Sequence, residues 1–127
     1  MKSGLLQILI GIKMKIKRGE IVLVNLDPVV GSEQGRIRPA VVIQNDYGNE
    51  YSPMTIVAPV TSKIYTKEFS TNVQISPNES CLDEESTVLL NQIRAIDKTR
   101  IIKKLEQLNN NIMEKIDLAI KASLGLD

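Results

Sequence analysis

The chain has 127 residues, 43% of them hydrophobic and 24% charged, with a formal charge of +1 from 16 Lys+Arg against 15 Asp+Glu. That length carries one core and one site, no apolar run is long enough to span a bilayer, and near neutrality means that affinity for nucleic acid must come from charge placement. A single cysteine, Cys81, precludes an intrachain disulfide and fits a reducing, cytoplasmic setting with no membrane partner, while the absence of histidine removes the usual acid–base group at neutral pH and every His-containing zinc site.

Residues 1–13, MKSGLLQILIGIK, hold a short apolar stretch broken by Gln7 and Gly11, with no small-residue cleavage site before the basic run that follows. Met14 opens a segment that at once takes on strand character. The first 13 residues therefore read as an accessory extension or misassigned start, or else as a short edge element, on a single domain spanning 14–127. Residues 20–26, EIVLVNL, form a β-branched strand ending at the turn signal Asp27-Pro28. The polar loop VVGSEQGRIRP follows at 29–39, then a strand over 39–46 closed by the loop YGNEYSP. A third strand covers 54–62, with Pro59 marking a bulge or an edge position. Segments 70–76 and 86–96 complete five short strands, which predict a small barrel or strongly curved sheet.

The period then changes. Ile101, Leu105, Leu108, Ile112, Ile116 and Ala119 recur at spacings of three and four, which predicts amphipathic helices over 98–108 and 110–124. Asp97 and Asn109 are their N-caps, each able to accept from an otherwise unpaired first-turn N–H. The fold class is α+β, with the helices covering one side or end of the sheet.

Candidate site residues cluster in three places. Ser32, Glu33 and Gln34 bring a hydroxyl, a carboxylate and an amide between Gly31 and Gly35, and fit either a solvated hairpin tip or a loop converging on a ligand. Pro39 biases Arg38 toward an extended backbone, aiming a planar, permanent charge from the sheet toward the loop, suited to a phosphate or to a surface salt bridge. Thr61, Ser62 and Lys63 end the third strand, so if strands two and three are neighbours Thr61 approaches Arg38; a local backbone bond is the other reading of Thr61. Gln92, between Asn91 and Arg94, is a polar group in the last strand. The basic residues Lys13, Lys15, Lys17, Arg18, Arg36, Lys63 and Lys67 would line a groove beside the loop or simply face water, and Tyr47 and Tyr51 would stack bases or pack. With only three Tyr and one Phe, extensive base stacking is not expected.

The order RGEIVLVNLDPVVGSEQGRIRPAVVIQNDYGNEYSP, TIVAPVTS and TVLLNQIRAIDKTRI resembles the MazF/PemK family of toxin endoribonucleases over roughly residues 14–124. The resemblance implies an SH3-like barrel of the CcdB/PemK type with C-terminal helices, and a homodimer. It also implies metal- and cofactor-independent cleavage of single-stranded RNA by 2′-OH attack, giving 2′,3′-cyclic phosphate and 5′-OH ends. A cognate antitoxin would fill the RNA groove, and DNA would be met only through that complex. Carried over, Arg38 and Thr61 are catalytic, and Ser32, Glu33, Gln34 and Gln92 contact RNA; the basic run, the loop and the end of the third strand add Arg18, Arg36 and Ser62 as expected RNA contacts. Two departures stand out: Arg36 replaces a second glycine of many relatives, and Asn91 replaces a carboxylate proposed as base in one branch, so that mechanism does not transfer. A gyrase-directed toxin and a non-cleaving RNA- or peptide-binding barrel are the alternatives on a related fold.

Overall fold

Seven short strands and a C-terminal helix account for the architecture of the computed structural model, which describes residues 14–127. The reading of residues 1–13, and Lys13 with it, lies outside the described residues. The strands are β1 (Glu20–Asn25), β2 (Ile37–Val42), β3 (Met54–Thr61), β4 (Asn72–Ile75), β5 (Ser86–Leu89), β6 (Arg94–Asp97) and β7 (Ile101–Gln107). The helices are α1 (Asp46–Tyr51), α2 (Pro77–Ser80) and α3 (Asn110–Leu124). All pairings are antiparallel, in the order β4-β5-β3-β2-β1-β7 with β6 on β3. The expected α+β class and curved small sheet are both present; the order ends at β4 and β7, so hydrogen bonds do not close it into a complete barrel.

Alternation along the strands divides the interior in two. One cluster, including Ile21, Val41, Val60, Ile75 and Leu90, packs under Ile112, Ile116 and Ala119 of α3. The other, including Val24, Ala40, Val42, Val57 and Ile96, lies on the opposite face. The predicted cap of α3 forms: Asn109 accepts from Ile112 N at 2.9 Å, and Gly125 ends the helix at φ 71°.

The predicted helix over 98–108 is instead a 3₁₀ turn (Lys98–Arg100) followed by β7. Asp97 caps that turn, accepting from Thr99 N at 2.9 Å. The helical spacing has a cause: the β1–β7 register shifts twice, pairing Ile21 with Glu106 but Val22 with Lys104, and Leu23 with Lys103 but Val24 with Ile101. Each bulge leaves an extra residue, Leu105 and Ile102, and both are exposed, so the apolar spacing here does not trace a buried face. The loop expected at 47–53 is mostly α1, whose cap Asn45 accepts from Gly48 N at 2.8 Å. The strand expected over 86–96 is broken by a 3₁₀ turn at Leu90–Gln92, which lets the chain step along β3 from Thr61 to Val57. Pro59 sits where that edge of β3 passes from β6 to β5, so its missing N–H breaks no ladder.

Asn49 joins these elements from a buried position. It accepts from Thr55 Oγ1 (2.8 Å) and Gln44 Nε2 (3.1 Å), and its amide donates to Gln44 O (2.9 Å) and Asp46 Oδ1 (3.2 Å). Asn49→Ala strands the fully buried Thr55 hydroxyl and the Gln44 carbonyl. It should cost about 1–3 kcal/mol, read as a lower urea midpoint at unchanged m-value.

Candidate active site at the strand ends

The β2–β3 register pairs Ala40 with Pro59, Val41 with Ala58 and Val42 with Val57. Carried two residues further, it sets Arg38 across from Thr61. Both share strand parity with Ala40, Val42 and Val57, so they belong to the face opposite α3, where the sheet outruns its apolar filling. Each is half-buried. Arg38 Nε donates to Gly35 O at 2.8 Å, fixing the guanidinium through one nitrogen, and among the described residues no carboxylate pairs with it. Its terminal nitrogens are therefore available to an anion. Thr61 Oγ1 accepts from Lys63 N at 3.2 Å, a strand-end turn that leaves its hydroxyl proton to donate outward. Thr61 thus makes the local backbone bond while standing across from Arg38.

The loop closes over this pair. Gln34 N donates to Gln92 Oε1 at 2.8 Å; since Gln92 lies beyond β3, the bond draws the loop across the ends of β2 and β3. Glu33 folds back, with Oε1 accepting from Val30 N at 2.9 Å, while Ser32, Glu33 and Arg36 are exposed and Ser62 is exposed next to Thr61. Arg36 has φ 65°, in the left-handed region that favours glycine, which accounts for the glycine the resemblance expects there. Arg36 N donates to Asp27 Oδ1 (2.7 Å) and Arg36 O accepts from Leu26 N (2.9 Å), offsetting the strain. Gly35 is required for closeness: a Cβ there would lie 2.7 Å from Val29 Cγ2 and 2.8 Å from Asp27 Oδ1.

Two arginines hold the loop's base. Arg94 Nη1 donates to Leu26 O at 2.9 Å, and Arg100 Nη1 donates to Asn25 O at 3.1 Å and to Asp27 O. The sequence reading noted Arg94 only as a neighbour of Gln92 and put Arg100 in a helix, where nothing marked it as a clamp.

The other expected RNA contacts are not brought together. Arg18 sits at the opposite end of β2, its Nε donating to Ile43 O (2.8 Å) and its Nη2 to Asp117 Oδ1 (2.7 Å), while its backbone N–H donates to Asp46 Oδ1 (2.7 Å). It ties β2 and α1 to α3, and does not line the loop. Lys15 and Lys17 lie at that same end beside Asp46 and Glu50. Tyr47 and Tyr51 are on α1 there, packed on each other at 4.8 Å between centroids. Gln92 is present at the site, with its carbonyl already used by the loop. Among the described residues no group of three or more His, Cys, Asp or Glu is placed to hold a metal ion, and no helix is long and apolar enough to cross a membrane.

The sequence profile described as "PemK-like, MazF-like toxin of type II toxin-antitoxin system" matches residues 17–124. Endoribonuclease EndoA of Bacillus subtilis is 45% identical over 113 residues, 89% of this chain and 97% of that protein. Among solved structures, MazF from Deinococcus radiodurans superposes with a TM-score of 0.76 at 24% identity, covering 90% of this chain and 100% of the other. A mycobacterial endoribonuclease in complex with its cognate antitoxin gives 0.74 at 20%, covering 88% and 97%. At those identities the structural likeness is one of fold.

Asp97 carries the clamp into a titration. The Thr99 backbone N–H, then its hydroxyl, hold the Asp97 carboxyl below its ordinary range, with Arg100 adding to the effect. A depressed folded value stabilises above the unfolded-chain value of about 3.9 and is lost as pH falls through the lower folded one. Asp97→Asn should therefore melt lower than wild type at pH 7, with the gap in Tm shrinking as pH drops below about 4.

Proposed function

The chain belongs to the PemK-like, MazF-like toxins of type II toxin–antitoxin systems, and from that premise we propose a metal-independent endoribonuclease that cuts single-stranded RNA in the cytoplasm by means of the substrate's own 2′-OH. Its relatedness to EndoA supports the nuclease activity. The observation that supports the chemistry is Arg38, held through Nε and without a carboxylate partner among the described residues, at the same strand end as the Thr61 hydroxyl and under a polar loop.

In the reaction the 2′-oxygen bonds to phosphorus as the bond to the 5′-oxygen breaks, leaving a 2′,3′-cyclic phosphate and a 5′-OH. The protein must align the nucleophile, neutralise charge on the phosphoryl oxygens and move two protons. Arg38 Nη1 and Nη2 grip the phosphoryl oxygens, and Thr61 donates to the same phosphate. Arginine's high pKa makes it a poor proton donor, so its role is electrostatic. Glu33 takes the 2′-OH proton through Oε2, the oxygen not used by Val30 N, and water reaching the exposed loop gives a proton to the departing 5′-oxygen. Ser32, Gln34, Arg36, Ser62 and Gln92 border the bound strand, and Gln92 acts first by holding the loop over it. The partner is a cognate antitoxin that blocks this groove, and the active form is a homodimer; the antitoxin complexes among structures of the same fold support the former.

Cleavage of a long unstructured RNA in EDTA by the 14–127 protein tests this. Wild type should cut at one short sequence with cyclic phosphate ends, Arg38→Ala should lose about 10²–10³-fold in kcat, and Thr61→Ala should lose less. Cutting that requires added metal ion, or that survives in Arg38→Ala, sinks the mechanism. Glu33→Gln keeps an acceptor for Val30 N, so folding should persist while the acid limb of the pH–rate profile flattens; an unchanged profile removes Glu33 as base.

A further inference from the structure

The row that carries Arg38 and Thr61 continues beyond the reacting groups. Thr61 pairs with Thr87, and Thr87 with Gln74. Directly paired residues lie on one face, so the row runs on across β5 and β4. The segment at 62–71 arches beside it, leaving a cleft of about 450 Å³ that includes Tyr65, Phe69, Asn72, Gln74 and Thr87 in its wall. The arch is pinned by Thr87 Oγ1 donating to Lys63 O at 2.9 Å, Asn72 N to Phe69 O at 3.0 Å and Leu90 N to Thr71 O at 2.8 Å. Phe69 meets Tyr65 edge-on, with centroids 5.8 Å apart and planes at 86°, and Lys63 Nζ lies 4.8 Å from the Tyr65 ring centre. Phe69 nevertheless stays 47% exposed. Gln74 Nε2 donates to Glu85 Oε1 at 3.1 Å, which fixes the amide and leaves its carbonyl oxygen free to accept.

We propose that this cleft is a base subsite of the nuclease: one unstacked nucleobase flanking the cleaved bond lies against Phe69 and Tyr65 and gives an N–H to Gln74 Oε1, with Lys63 near the adjoining phosphate. Single-stranded RNA is read in this way, by an aromatic plane for the face and a polar group for the edge. Gln74 stands two strand spacings from Thr61, roughly 10 Å, within reach of one nucleotide whose phosphate is held by Thr61. Two of the chain's four aromatic residues are in the cleft, enough for one base and no more. Glu68 on the cleft wall and Glu85 beside Gln74 disfavour an acidic peptide, whereas a neutral base tolerates them. The inference rests on the endoribonuclease reading and adds to it a source of sequence preference.

The test measures kcat/KM of the full chain on short unstructured RNAs that contain the wild-type cleavage sequence, with each flanking nucleotide varied in turn. Phe69→Ala should reduce the ratio between best and worst base at one flanking position about tenfold or more, leave the ratios at other positions in place, and be rescued by Phe69→Trp. Gln74→Ala should narrow the ratio at that same position. Ratios unmoved at every position, a uniform loss of activity, or an effect confined to inhibition by an antitoxin peptide overturns the inference. Failure of the wild-type chain to cut RNA overturns the function and this subsite together, whereas wild-type cutting with ratios unmoved in the variants overturns the subsite alone. Melting temperatures matching wild type establish that the variants are folded.

Discussion

Three successive carbonyls at the end of β1, on Asn25, Leu26 and Asp27, are where the sheet opens into the loop, and Arg94 and Arg100 donate to all three. Leu26 is fully buried, and its carbonyl left unpaired would cost about 1–3 kcal/mol, while Asn25 and Asp27 on either side are exposed. The two guanidiniums supply donors from β6 and from the turn before β7, so the loop starts from a fixed base although its tip is exposed. The Asp97 carboxylate, accepting from the Thr99 backbone N–H and hydroxyl, orders the turn that carries Arg100. The clamp is therefore a chain of short contacts from β6 to β1, and the position of the loop over β2 and β3 depends on it.

On that base, the two faces of the sheet serve different ends. α3 seals one with Ile112, Ile116 and Ala119. The other is filled by Val24, Ala40, Val42, Val57 and Ile96 only until the strands run past them, and there the same parity delivers Arg38, Thr61 and Thr87. A charge at that margin keeps some contact with water, which limits the cost of desolvating it, yet its backbone belongs to the rigid sheet. The far end of β2 is treated differently, with Arg18 neutralised by Asp117 at 2.7 Å and bonded to Ile43 O. Two arginines of one chain thus differ in surroundings: Arg18 has found a carboxylate, and among the described residues Arg38 has not.

The loop itself is held by its ends and its middle. Arg36 takes a backbone conformation suited to glycine, held by Asp27 and Leu26, and Gly35 leaves no room for a side chain against Val29. Gln34 bonds to Gln92, so the 3₁₀ turn that interrupts the strand after β5 becomes part of the site. A continuous strand there would have kept Gln92 in the ladder and left the loop without a far anchor.

Local order in the chain determined a good deal by itself. The strands at β1, β2 and β3, the adjacency of β2 and β3, and the cap and amphipathic face of α3 were legible because each rests on neighbours in sequence or on adjacent antiparallel strands. The strand β7 was not legible, since Leu105 and Ile102 are apolar yet exposed as the extra residues of its two bulges, and only the partner strand reveals them. Tertiary structure alone decided that Arg18 braces α3 while Arg94 and Arg100 clamp the loop, because a guanidinium's role depends on which carbonyl or carboxylate it reaches. Those acceptors lie 68 to 99 residues away in the sequence, a separation that no local pattern encodes.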